Sequence, residues 1–164
     1  MDFRACAMTG HRNITHALER GLEKRLLDVI EELAAEGTEV FYTGGAQGFD
    51  TLAAREVIRF RITHPDVSLV LILPCVNQNE RWSESATSAY EFILSSADEI
   101  RYISDEYTDG CMRERNLALV DASDILIAYV GRSRSGAGQT VRMAEKAGKR
   151  VYNLYPTLEN TRKG

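Results

Sequence analysis

Apolar positions follow two alternating rhythms along the chain: short continuous runs, and longer stretches with a helical period. The first run, Phe3–Met8, reads as a strand and leads into the loop Thr9-Gly10-His11-Arg12. From near Thr15, residues Leu18, Leu22, Leu26, Ile30 and Leu33 recur as on a helix that buries one face, and Gly37 predicts its stop. Val40–Tyr42 marks a second strand. Residues from about Asp50 to Arg61 form a second helix with Leu52, Ala53, Val57 and Phe60 inward, and Ser68–Leu73 is a third strand that Pro74 is expected to end. The pattern then predicts a helix over Ser83–Ser96 with Ser83 as N-cap, a strand at Glu99–Ile103 and a helix at Asp109–Asp121. A strand at Ile125–Val130, a helix at Gly138–Ala147 closed by Gly148, and a strand at Val151–Leu154 complete it.

Strands alternating with helices imply right-handed βαβ units and a parallel sheet. The expectation is one α/β, doubly wound, Rossmann-like domain over residues 1–156. It has a mainly parallel sheet of about six strands with helices on both faces, and a polar tail at 157–164. The nearly continuous apolar runs Val67–Leu73 and Ile125–Val130 suit strands covered on both faces. Such folds bind ligands outside the carboxyl ends of the strands, where strand order reverses, so the loops after the strands carry the candidate chemistry.

Composition narrows the classes. At 164 residues with 44% hydrophobic side chains, the chain can bury a core without disulfides or metals. A net charge of −4 disfavours a globally basic nucleic-acid binder and leaves room for a local basic patch. Cys6, Cys75 and Cys111 are odd in number and form no CxxC, which argues against a disulfide framework or a structural zinc, and no metal is expected. The opening Met1-Asp2-Phe3-Arg4 lacks signal-peptide character and no apolar run reaches ~18 residues, so a cytoplasmic protein with no membrane partner is expected.

Two loops offer anion-binding backbone. Thr43, Gly44, Gly45, Ala46, Gln47, Gly48 and Asp50 run from strand to helix, where glycines let N–H groups approach a phosphate at a helix N-terminus. Asp50 is either a helix cap or an acceptor for a ribose hydroxyl. The second loop, Gly131 to Thr140, brings Ser135, Gly136, Ala137, Gly138 and Thr140 with Arg132 and Arg134. The first loop adds Thr9, Gly10 and Arg12 as anion contacts; His11 ranks low as a catalytic base because sequence fixes no partner for it. Beyond the third strand lie Arg81 and Trp82, the latter able either to stack a base or to anchor the loop. Arg113, Glu114, Arg115 and Asn116 stand at a helix start. Concentrating arginines at one edge of an acidic chain points to a phosphate. No Ser-His-Asp order, nucleophile elbow, HExxH or Walker A occurs.

The motifs together resemble the SLOG superfamily of Rossmann-like proteins, which includes the DNA-processing protein DprA (Smf), the LOG phosphoribohydrolases and the YpsA/YspA-like branch. Ala7-Met8-Thr9-Gly10-His11-Arg12 is similar to the TGHR opening of the YpsA-like branch, with Asn13 where proline is common. Thr43 to Asp50 resembles the SGxAxGID segment of DprA-like proteins, Arg113 to Asn116 their RRN segment, and Ser135 to Thr140 with Gly148–Val151 their SGSxxTA…GRxV pattern. The resemblance implies a ligand site at the strand ends and a nucleotide or ADP-ribose-like ligand held there, as in a sensor or regulatory protein, and a homodimer. It also implies two competing activities. LOG-like hydrolysis of a nucleotide N-glycosidic bond would use Arg115, Glu114 or Asp50; however, Asn116 replaces the family's lysine and Met143 stands where its catalytic glutamate falls, with Glu145 two positions further on. DprA-like single-stranded DNA binding is disfavoured by the net charge and by Ala54 where histidine is frequent.

Overall fold

The computed structural model describes residues 4–155. Strands and helices alternate throughout: β1 (Arg4–Gly10), α1 (His16–Ala35), β2 (Thr38–Thr43), α2 (Phe49–Arg61), β3 (Ser68–Cys75), α3 (Glu84–Ser96), β4 (Glu99–Ser104), α4 (Cys111–Ala122), β5 (Ile125–Tyr129), α5 (Gly136–Lys146) and β6 (Arg150–Asn153). The six strands form one sheet in the order β4-β3-β2-β1-β5-β6, and every adjacent pair is parallel. Chain order runs outward from β1 to β4, then returns across the sheet to β5. The reversal therefore lies between β1 and β5.

Side chains alternate between two cores. Met8, Phe41, Leu71 and Ile127 point to the face where α1, α2 and α3 supply Leu26, Ile30, Val57 and Ile93. Their neighbours Ala7, Tyr42, Val70, Ile72 and Leu126 point to the other face, against Leu119 and Val120 of α4 and Ala144 of α5. Because both faces are covered, the central strands are apolar throughout, which removes the period-two alternation of a half-exposed sheet. In α1 the expected stripe holds for Leu22, Leu26, Ile30 and Leu33, all fully buried, and Val29 joins it, while Leu18 is only half-buried. Each such burial contributes about 1.5–3 kcal/mol.

Several boundaries differ from the pattern-based expectation by one or two residues, and three of them have a clear physical reason. Pro74 does not end β3: the ladder to β4 resumes at Cys75↔Ser104, and the proline, which has no N–H to give, simply takes no partner. The strand β1 runs on through Thr9 and Gly10, which pair with Ala128 and Tyr129. Helix α5 begins at Gly136 rather than Gly138, because the Ser135 hydroxyl caps it and accepts from the Gly138 N–H at 3.0 Å. Ser83 caps α3 as expected, accepting from Ala86 N–H at 3.2 Å. The polar tail 157–164 lies outside the described residues.

Gly48 joins two of the strand-end loops. Its φ is 78°, and a Cβ there would stand 1.9 Å from the Arg12 carbonyl oxygen, while the next N–H, that of Phe49, donates to the His11 carbonyl at 3.1 Å. Gly37 also has positive φ, 110°, but a Cβ there would meet nothing within 4 Å. Gly37→Ala is thus expected to cost about 1–2 kcal/mol from backbone strain alone. Gly48→Ala adds a clash with backbone and is expected to cost about 3 kcal/mol or more. Urea denaturation of the two variants distinguishes these; equal costs would mean that the two loops are not locked together.

Candidate functional site

Where the loops after β1 and β5 part, a cleft of about 300 Å³ opens. The β1 end lends Thr9, Gly10 and Arg12, and the β2–α2 turn lends Ala46, Gln47 and Asp50. Met112, Arg115 and Asn116 approach from α4, and Arg132, Ser135, Gly136, Ala137 and Gln139 from the start of α5. A hollow of about 340 Å³ elsewhere, between α1 and α2, holds charges that answer one another, such as Glu56 with Arg59 at 3.4 Å, and it has no such convergence of strand ends.

Asp50 is the buried carboxylate of the cleft, with 4% of its surface exposed. Its Oδ2 accepts the Ala46 N–H at 3.1 Å, whereas Oδ1 is buried and has no hydrogen-bond partner. Burial pushes the carboxyl up to about 6, against the pull of the Arg115 charge and of the N–H groups of Ala46 and Gly10. Asp50 is not a helix cap: Gly48 holds that position and Asp50 lies within α2.

Arg115 is equally buried, at 6% exposed. Its Nη1 donates to the Gly44 carbonyl at 2.7 Å and its Nε to Asn116 Oδ1 at 2.9 Å, so the guanidinium ties α4 to the glycine turn. Burial lowers its proton affinity and the Asp50 charge restores part of it, although the two form no direct ion pair. Asn116 in turn donates to Gly136 O and Gln139 Oε1, joining α4 to α5.

His11 has a structural task. Its Nε2 accepts the Gly131 N–H at 2.8 Å, which puts the proton of the neutral ring on Nδ1. Burial, then the Arg132 charge, holds its pKa below the ordinary histidine value. The ring thereby fixes the β5 loop against β1. Gly136 and Ala137, at the start of α5, line the cleft; as the first residues of the helix their N–H groups have no acceptor within it, and that helix end carries partial positive charge.

The expected contacts separate into layers. Thr9, Gly10, Arg12, Gln47, Asp50, Arg115, Asn116, Ser135, Gly136 and Ala137 meet at the cleft. Thr43, Gly44, Gly45, Gly138 and Thr140 lie beneath it: Thr43 and Thr140 are fully buried, and the Thr140 hydroxyl is used by Gly136 O at 3.4 Å. Gly48 borders the α1–α2 hollow. Arg81 lines a neighbouring hollow with Arg12 and Gln47, while Arg113 and Glu114 are exposed on α4 outside the cleft. Met143 packs against the α4–α5 core and Glu145 is exposed, so neither lines the cleft. Trp82 packs edge-on against Tyr90 with ring centroids 5.1 Å apart, stays half-buried, and lines the same neighbouring hollow as Arg81. Ala46 lines the cleft with the rest of its turn, whereas Met112 and Gln139 were not anticipated, and of these two only Gln139, one turn into α5, had a local signal in its spacing from Ser135. Among the described residues no cluster of His, Cys, Asp or Glu is arranged to hold a metal, and no helix is long and apolar enough to cross a membrane.

With this geometry in hand, comparison with known proteins is informative. Residues 6–157 match the family described as the YspA SLOG family. A UPF0398 protein of Halalkalibacterium halodurans is 32% identical over 77% of this chain, and the match spans 66% of that relative's length, so this chain covers only part of it. The fold is similar to DNA processing protein A of Streptococcus pneumoniae (TM-score 0.64, 17% identity, 91% of this chain and 49% of that one). It is also similar to DNA processing protein A of Helicobacter pylori (TM-score 0.63, 21% identity, 90% of this chain and 63% of that one). At these identities the structural likeness is one of fold.

The raised Asp50 carboxyl yields a signed prediction. An acid whose folded pKa exceeds its unfolded value weakens the fold once ionised; the cost is absent below the unfolded value of 3.8 and complete above about 6. That difference corresponds to about 3 kcal/mol. The stability of Asp50→Asn relative to the parent protein, from urea denaturation, is expected to be higher near pH ~7.5 than near pH ~4 by about that amount. A pH-independent difference would show that the carboxyl titrates as in water.

Proposed function

The chain belongs to the YspA SLOG family, and from that premise we propose that it binds a phosphate-bearing nucleotide or nucleotide-derived ligand, ADP-ribose-like molecules included, in the β1–β5 cleft, acting as a sensor or regulatory protein. The observation that carries this reading is the orphaned Oδ1 of Asp50, buried beside Arg115 in a cleft capped by the α5 N-terminus. A buried carboxylate oxygen without a donor is costly. A ribose hydroxyl would satisfy it, and a phosphate on the same ligand would meet Arg12, Arg132 and the Gly136 and Ala137 N–H groups.

Cleavage of the N-glycosidic bond is the second reading, favoured by one observation: a carboxyl titrating near neutrality inside the cleft is suited to proton transfer. Single-stranded DNA binding, described for the Helicobacter pylori neighbour, finds less support, since the chain carries a net charge of −4 and carboxylates stand among the arginines of this edge.

Thermal denaturation against nucleoside monophosphates, ADP-ribose and inorganic phosphate tests the proposal, with released base followed by chromatography. A ligand at about 100 times its Kd should stabilise by ~2.7 kcal/mol. Arg12→Ala, at an exposed position, is expected to weaken binding about tenfold or more while leaving the unliganded Tm unchanged. No shift with any of these ligands would overturn the binding reading, and base release abolished in Asp50→Asn would replace it with the hydrolytic one.

A further inference from the structure

The cleft does not close on its outer side. Past Ala46, Gln47 and Met112 it continues into a second hollow of about 270 Å³, whose far wall is Pro74, Cys75, Gln78, Trp82 and Tyr107. Arg12 borders both, so the two spaces form one groove.

Two aromatic side chains line the second space, and the core does not cover either of them fully. Trp82 rests edge-on against Tyr90, at an interplanar angle of 66°, and stays half-buried. Tyr107 is 64% exposed and belongs to neither core cluster. Met112, also exposed, lies between the two spaces. Apolar surface held open at the mouth of a polar cleft marks a ligand groove more often than an idle surface. Gln78 lies on the same wall with its Nε2–H fixed on the Gly45 carbonyl at 3.2 Å, which sets the plane of its amide. Two aromatic side chains beside an oriented amide are the side-chain types that take a flat ring with polar edges. Outward, the same side chains border a wider hollow of about 580 Å³ that also takes in Asn77, Glu80 and Arg81, so the aromatic space opens to solvent on a polar rim.

We infer that the hollow between Trp82 and Tyr107 is a second subsite, which takes the planar heteroaromatic ring of the same ligand whose phosphate occupies the inner cleft. The inference rests on reading that cleft as a phosphate site, and it names the ligand class more closely. Ring and phosphate must be joined by a linker that passes Gln47 and Met112, as the sugar of a nucleotide is. A free base fills one space and a sugar phosphate the other.

Trp82 is the single tryptophan of the chain, so its fluorescence reports on this subsite alone. The experiment titrates AMP, GMP, ADP-ribose and ribose 5-phosphate into the full chain and into Tyr107→Ala, an exposed position, and follows fluorescence and calorimetry in parallel. At least one nucleotide is expected to quench Trp82 saturably and to bind Tyr107→Ala between about 5-fold and about 100-fold more weakly, the range for loss of one base–aromatic stack. Ribose 5-phosphate is expected to bind both proteins equally and leave the fluorescence unchanged. Nucleotide binding in the calorimeter with neither quenching nor a Tyr107→Ala effect would overturn the second subsite and leave the inner cleft standing. Absence of binding by all four compounds would overturn the phosphate site itself, and this inference with it.

Discussion

The carboxyl edge of the sheet is organised around two buried opposite charges that do not touch. Asp50 and Arg115 are each more than nine-tenths buried, yet no direct ion pair joins them. Arg115 gives its hydrogen bonds to Gly44 O and Asn116, and Asp50 receives one from Ala46. Through these bonds β2, α2 and α4 are fixed relative to one another, and Asn116 extends the frame to α5. Burying two charges in this way is a poor route to stability, since apolar side chains of similar volume would serve at least as well. The same cost becomes useful if a ligand supplies the missing partner, because binding then relieves a desolvation penalty already present in the unliganded protein.

The glycine turn after β2 has a structural use that its glycines do not announce. Glycines at a strand end suggest N–H groups aimed at an anion. Here the carbonyls of Gly44 and Gly45 accept from Arg115 and Gln78, and the one N–H in the network, from Ala46, goes to Asp50. The turn is mainly a seat for side chains arriving from α4 and from the loop after β3. At the start of α5, beside Ser135, the Gly136 and Ala137 N–H groups have no acceptor within the helix.

This difference tracks what a sequence can encode locally. The elements were legible because their signals are short-range: the stripe from Leu22 to Leu33, the Ser83 cap, and the unbroken apolar runs of β3 and β5. The layer order followed from alternation alone. Pro74 misled because its missing N–H matters only if the ladder needs it, which depends on the register with β4. The start of α5 misled because Gly136 and Ala137 look like loop until Ser135 is seen to cap them. Asp50, Arg12 and Arg115 could be picked as cleft residues because they stand in or just after the loops at the strand ends. The partnership of Arg115 with Gly44 spans 71 residues and leaves no mark in either segment. Nor does His11 announce that it accepts from Gly131, 120 residues away.

The two departures from the hydrolase pattern acquire a physical meaning in this setting. Met143, in the position of a catalytic glutamate, contributes its side chain to the core between α4 and α5 and so helps hold the helix whose N-terminus caps the cleft. Asn116, in place of a lysine, trades a charge for an amide that bonds three ways, accepting from Arg115 and donating to Gly136 and Gln139. A lysine there could donate but not accept, and would leave the Arg115 Nε without its partner. Both replacements favour a rigid, pre-ordered cleft over one furnished with an additional acid or base. Rigidity of this kind lowers the ordering cost of holding a ligand and does nothing by itself to break a bond. The raised pKa of Asp50 and its unpartnered Oδ1 have one cause, the burial of its carboxyl beneath the strand-end loops.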